Sequence, residues 1–223
     1  MWTAPFYELE QQLAVDLPGA RAVFTTVAAG DMRDTADAVA ERLGVGVARA
    51  RQVHGNRVLS VTRAPSPAEE ADAIVTTTPG LAATVLAADC VPVAVAGGGV
   101  VGAVHAGWRG LRDDVIAATV IRMRALMDDP GVALSAAIGP SAGGCCYEVG
   151  EDLHGVFKQR GEDFRNDRNL DLHAIAAHQL EAAGVTSVHD SGVCTICSDP
   201  ELFYSHRRDH GQTGRSGALV WLT

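Results

Sequence analysis

The sequence reads as an α+β protein, its sheets covered by helices, in one compact domain over residues 1–223. Three observations lead there. Apolar, β-branched runs outnumber stretches with helical spacing. The strand-like runs between residues 47 and 105 follow one another without a helical segment, whereas a doubly wound parallel sheet needs alternating strand and helix. The 223 residues also hold no internal repeat, low-complexity tract or long linker. A chain of this length can bury roughly 70% or more of its unfolded surface in a single core.

Taken in order, residues 21–27 are rich in β-branched and aromatic side chains and read as a strand. Residues 35–43 read as a short helix, with Thr35 as N-cap and Gly44 as its stop. Strands follow at 47–53 and 58–62, parted by His54-Gly55-Asn56, and a polar loop runs over 63–71. Further strands read at 73–77, 83–88, 91–96 and 100–105. The period then changes: Leu111, Val115, Ala118, Met123 and Leu126 fall near one face of a helix over 111–127. After a strand at 132–138 come helices at 149–158 and 172–183, the latter closed by Gly184. Strands at 185–189 and 218–222 complete the chain, and His173 and His178 are expected to face solvent from their helix.

Composition narrows the function classes. Hydrophobic residues make up 47% and charged residues 20%, ordinary for a globular protein. Lys plus Arg is 18 against 27 Asp plus Glu, a net charge of −9, which excludes nucleic acid as the main partner. A small anionic ligand needs only a local cluster of arginines. Residues 1–20 carry Glu8, Glu10 and Asp16 and lack a basic start followed by an apolar run, so no export signal is expected. The apolar stretches at 81–88 and 91–104 are interrupted by Asp89, Pro92 and three successive glycines, so no membrane span is expected either. A cytoplasmic monomer with reduced thiols is the expectation for the five cysteines.

Reactive side chains stand where strands end, in Gln52-Val53-His54-Gly55, Ala88-Asp89-Cys90-Val91-Pro92 and Val104-His105-Ala106-Gly107-Trp108-Arg109-Gly110. A strand fixes a group at its tip while the loop leaves it reachable. Two imidazoles and a thiolate would suit a zinc ion with a fourth position open to water, and the same donors suit copper. Each residue also has a plain structural explanation: a turn histidine, or a small buried cysteine. Cys194-x-x-Cys197 has no second such pair at zinc-ribbon spacing; pairing with Cys145 and Cys146 stays open, and structural thiols are the expectation. The segments 203–209 and 213–215 concentrate cations in an acidic chain, and Arg recognises phosphate or carboxylate through a planar fork.

These three segments resemble the YfiH-like family. So do Ile138-Gly139-Pro140, Cys146-Tyr147-Glu148-Val149, Cys194-Thr195, and Tyr204-Ser205-His206-Arg207-Arg208 through Gly214-Arg215. That family was first described as laccase-type multicopper polyphenol oxidases and later as purine nucleoside phosphorylases with adenosine deaminase and methylthioadenosine phosphorylase activity. The resemblance runs from about residue 50 to the C-terminus. It implies that His54, Cys90 and His105 are catalytic and hold one metal ion, zinc or alternatively copper. It also implies purine nucleoside and phosphate as substrates, and a sheet sandwich with helices outside. Arg109, Arg208 and Arg215 are the candidates to hold phosphate. One departure stands out: the family's Thr-Arg-x-Gly-Gly pattern after the first strand is missing, and Phe24-Thr25-Thr26 runs on to Val27-Ala28-Ala29-Gly30-Asp31 in a shortened loop. Altered specificity or reduced activity would follow if that loop holds substrate. The competing readings are a copper-dependent polyphenol oxidase, a cysteine hydrolase of a peptidoglycan precursor with Cys90 as nucleophile and His105 as base, and a protein that merely binds metal.

Overall fold

Alternation of side chains along the central strands decides how the layers stack. The computed structural model describes residues 3–66 and 69–223. Met1 and Trp2, in the segment read for an export signal, and Pro67 and Ala68, within the expected loop over 63–71, lie outside the described residues. In chain order the elements are β1 (Tyr7–Leu9), β2 (Gln12–Leu17), β3 (Ala20–Phe24), α1 (Met32–Arg42), β4 (Gly46–Ala48), β5 (Val58–Ser60), β6 (Ala73–Thr76) and β7 (Leu81–Ala87). Then come β8 (Val91–Gly97), β9 (Val100–Ala106), α2 (Trp108–Arg112), α3 (Val115–Arg124), β10 (Ser135–Ile138) and α4 (Glu151–Gln159). The chain closes with β11 (Arg165–Asn166), β12 (Asn169–Leu170), α5 (Leu172–Ala182), β13 (Ser187–Asp190) and β14 (Ser216–Leu222).

Two mixed sheets result, in the orders β1-β2-β3-β14-β7-β4 and β13-β10-β8-β9-β6-β5. In the second sheet, Val91, Val93, Val95, Val100 and Val104 share a core with Ile116 and Met123 of α3 and Ile175 and Leu180 of α5. The alternate residues Ala94, Ala96, Val101 and Ala103 share a core with Phe24, Ala83, Val85 and Val220 of the first sheet. The outer face of the first sheet, with Val23, Ala82 and Leu219, is covered by Met32, Ala36 and Val39 of α1. The layers are therefore helix, sheet, sheet, helix: the sandwich with outer helices that the sequence leads one to expect. The alanines between the sheets let their backbones approach closely.

Several local expectations need correction. The N-cap of α1 is Asp31, whose side chain accepts the Arg33 amide, because Thr35 already lies one turn inside. The helix expected over 111–127 is two helices, α2 and α3, broken at Asp114, which has φ 62°. The strand expected over 47–53 ends at Ala48. His173 is buried, while His178 is exposed as expected. The strands β1 and β2 were not anticipated from the residues before 20.

Candidate metal centre

Asp72 is the organising residue. It stands just before β6 and is fully buried. Its carboxylate accepts the backbone N–H groups of Val53 (3.2 Å), His54 (2.9 Å) and Gly55 (2.7 Å), and the ring Nδ1–H of His105 at 2.8 Å. Burial alone would raise its pKa, but the hydrogen bonds from His105 and the amides outweigh it and hold the carboxyl below its ordinary value. Wrapping the loop around one carboxylate leaves His54 in the left-handed region at φ 62°, a conformation sustained where surrounding contacts determine it. Gln52 anchors the same loop. Its carboxamide accepts the Leu86 amide (2.8 Å) and donates to the Leu86 carbonyl (2.7 Å), standing in for a neighbouring strand beside β7.

Cys90 lies in the turn by which the chain leaves the first sheet (β7) for the second (β8). Asp89 supports that turn at φ 83°. Its carboxylate accepts the Thr195 hydroxyl and the Arg207 amide, both at 2.6 Å, tying the turn to the C-terminal loops. His105 belongs to β9, on the face of Val101 and Ala103 that looks toward the first sheet. One potential ligand atom from each of His54, Cys90 and His105 lies within 4.8 Å of the others, and the two imidazoles meet edge to face with centroids 4.8 Å apart. Gly107 makes room: a Cβ there would sit 3.0 Å from Cys90 Sγ and 3.1 Å from His54 Cδ2.

The electrostatics favour ionised ligands. Burial opposes the Cys90 thiolate, but the charge of His105 and hydrogen bonds from both histidines outweigh it and bring the thiol down to about 6. Burial likewise opposes a charged His105, yet the Cys90 thiolate and Asp72 push it up to about 9. Two nitrogens and one sulfur suit a tetrahedral divalent ion with one open position. His105 also has the support that metal-bound histidines show, its Nδ1–H held by a carboxylate and Nε2 left for the ion.

These three side chains line a cavity of about 890 Å³. Of the expected arginines, Arg109 and Arg215 line it too, but Arg208 does not. The Arg208 fork grips both Asp209 oxygens and the carbonyls of Thr195 and Phe203. Arg33, Arg49, Arg51 and Arg207 line the cavity without having been singled out. Among the described residues Arg49, Arg109, Arg207 and Arg215 form no ion pair with a carboxylate, although Arg51 pairs with Glu70 and Arg33 with Asp31. Arg109 rests over Trp108 (4.3 Å) and Arg207 over Tyr147 (4.9 Å). The cationic composition of the C-terminal segment and the Tyr204-Ser205-His206-Arg207-Arg208 motif signalled Arg207, and nothing local in the sequence signalled Asp72. Elsewhere Ser141 Oγ, His173 and Asp190 form a hydrogen-bonded chain of 2.6 and 2.8 Å, but Ser141 is fully buried, so the chain pins the loop after β10 to α5 and the end of β13.

Residues 28–223 match the family model described as multi-copper polyphenol oxidoreductase laccase. A Xylella fastidiosa protein named purine nucleoside phosphorylase is 41% identical over 191 residues, covering 77% of this chain and 70% of that protein. An Escherichia coli protein named purine nucleoside phosphorylase YfiH is 35% identical over 184 residues, covering 77% and 72%. The crystal structure of a Bacillus licheniformis hypothetical protein YfiH superposes with a TM-score of 0.85 at 27% identity, over 99% of this chain and 100% of that one. A Neisseria meningitidis structure gives 0.81 at 30% identity, over 96% and 99%.

Proposed function

The chain belongs to this YfiH-like family of multi-copper polyphenol oxidoreductase laccase type, whose relatives are named purine nucleoside phosphorylases, and from that premise we propose that it is a metal-dependent purine nucleoside phosphorylase. The observation that carries the proposal is the joint presence, in one cavity, of a two-histidine, one-cysteine donor set and four arginines whose guanidinium groups form no ion pair among the described residues. In phosphorolysis a phosphate oxygen attacks the ribose anomeric carbon while its bond to the purine breaks, giving ribose 1-phosphate and free base. Arg109, Arg207 and Arg215 supply cations for the dianionic nucleophile and hold it oriented. Asp72 keeps the His105 ring fixed, and Cys90 stays a thiolate beside it. His54, Cys90 and His105 would hold a zinc ion, which would supply Lewis acidity there. Adenosine deamination and cleavage of methylthioadenosine belong to the same proposal, as does action in the cytoplasm as a monomer on small molecules without nucleic acid.

The test is to incubate zinc-loaded protein with adenosine and phosphate, and separately with methylthioadenosine, and to quantify adenine, inosine and the ribose phosphates. Product at the level of a Cys90→Ala variant would sink the proposal. A second reading has its own observation: the Cys90 thiolate, the His105 imidazolium and the orienting Asp72 resemble an activated cysteine nucleophile. Hydrolysis that survives chelation, together with alkylation of Cys90, would favour that cysteine hydrolase over the phosphorylase.

A further inference from the structure

Apart from the residues that line the cavity, four more cysteines meet. Cys145 and Cys146 lie on the loop after β10, and Cys194 and Cys197 on the loop after β13. One sulfur from each lies within 4.8 Å of the others. We infer that Cys145, Cys146, Cys194 and Cys197 form a second, structural centre for a thiophilic divalent cation, zinc being the natural occupant.

Distances support an ion rather than a covalent link. A tetrahedron with about 2.3 Å from metal to sulfur has edges of about 3.8 Å. Cys145 and Cys197 sulfurs are 3.7 Å apart, whereas a disulfide bond is about 2.05 Å. A disulfide would also draw the thiols together in pairs, but here all four sulfurs lie within 4.8 Å of one another. The two loops are joined at the backbone: Ser141 and Cys194 form a parallel bridge, and the Thr195 amide donates to the Ser141 carbonyl at 2.9 Å. Gly143 packs closely against the group, since a Cβ there would lie 3.2 Å from Cys194 Cβ.

The backbone is arranged for negative sulfur. The Gly143 amide donates to Cys194 Sγ at 3.3 Å, and the amides of Ile196 and Cys197 turn toward the same atom. Such donors are the outer support that stabilises metal-bound thiolates. Burial opposes ionisation of Cys194, yet these amides bring it down to about 7, while burial and the neighbouring thiols push Cys145 up to about 11. Four adjacent thiols cannot all ionise beside one another without a cation. With all four sulfurs bound as thiolates, the metal tetrathiolate carries a net charge of −2. The consequence reaches the first site: the stapled loops carry Tyr147 and Thr195, and Thr195 holds the Asp89 turn next to Cys90.

The test uses a Cys90→Ser chain, in which the first centre lacks its sulfur. After loading with zinc alone and desalting, one zinc per chain should remain, with an X-ray absorption shell of four sulfurs at about 2.3 Å. Adding Cys145→Ser and Cys197→Ser should remove it. If Cys90→Ser fails to fold, the wild-type chain serves: two zinc ions sharing five sulfurs support the proposal, and one zinc with a single sulfur overturns it. No retained zinc in Cys90→Ser with four titratable thiols, or a Cys145–Cys197 disulfide in peptide maps of protein purified under reductant, also overturns it.

Discussion

At the scale of single residues, the chemistry turns on how protons are shared among Asp72, His105 and Cys90. Asp72→Asn keeps the shape but removes the charge, and turns an amide toward backbone N–H donors. Zinc binding should weaken roughly 10–100-fold, as for other outer-shell partners of metal-bound histidine, and a competition titration against a chelator would read it. Unchanged affinity would show that His105 does not depend on this carboxylate. The pH dependence follows from the same pair. Above about 6 Cys90 is already a thiolate and has no proton to release. Below about 9 His105 must lose one proton before Nε2 can bind. This pair should therefore make zinc affinity rise about tenfold per pH unit between those values, level off above, and fall more steeply below, where two protons compete. Calorimetry in buffers of different ionisation enthalpy at neutral pH should register one proton released from the pair.

At the scale of elements, the break between α2 and α3 is the clearest case of tertiary demand overriding local pattern. The apolar spacing over 111–127 suits a continuous helix, but Asp114 adopts φ 62° and its carboxylate pairs with Arg160. The break frees α2 to start directly behind His105 and Gly107, so Trp108 and Arg109 face the cavity. Asp114→Gly should be close to neutral, since relief of about 1 kcal/mol of left-handed strain offsets a surface ion pair worth at most about 1 kcal/mol. Asp114→Val should lose about 1–2 kcal/mol or more, because a branched Cβ collides with the following carbonyl in that conformation. Urea unfolding of both variants checks the contrast; equal losses would mean that the ion pair, not the backbone, matters. The premature end of β4 has a similar cause. After Ala48 the chain must turn toward Asp72, and the Gln52 carboxamide continues the hydrogen bonding that a strand would have made.

At the scale of the molecule, a net charge of −9 encloses a cavity lined by arginines. Acidic surroundings repel anions at a distance, so phosphate must be drawn by the local field of those arginines. Salt screens exposed charges over about 10 Å at 0.1 M, so the KM for phosphate should rise with ionic strength while the KM for nucleoside holds. Arg207→Ala should raise the phosphate KM about tenfold or more, the loss of a hydrogen bond to a charged group; a change confined to nucleoside KM would reassign Arg207. Two groups of donors in one chain also change how metal content is read. More than one metal per chain would not by itself favour an oxidase, and only copper-dependent oxygen uptake would.

Most element types and two of the three reactive strand ends, those at Cys90 and His105, were legible in the sequence, because periods of 2 and 3.6 residues report local backbone geometry, whereas His54 stands in a loop beyond β4. Cys90 and His105 stood out for that reason, and the order of family motifs singled them out further, together with His54. Which distant groups meet was decided only by the packing of two sheets. Asp72 reaches His105 across 33 residues, Asp89 reaches Arg207 across 118, and Cys145 reaches Cys197 across 52. No local period encodes such separations. They follow from strand order and from the crossing between sheets at Cys90, which is also why Arg207 enters the cavity lining while its neighbour Arg208 is spent on the loop that carries it.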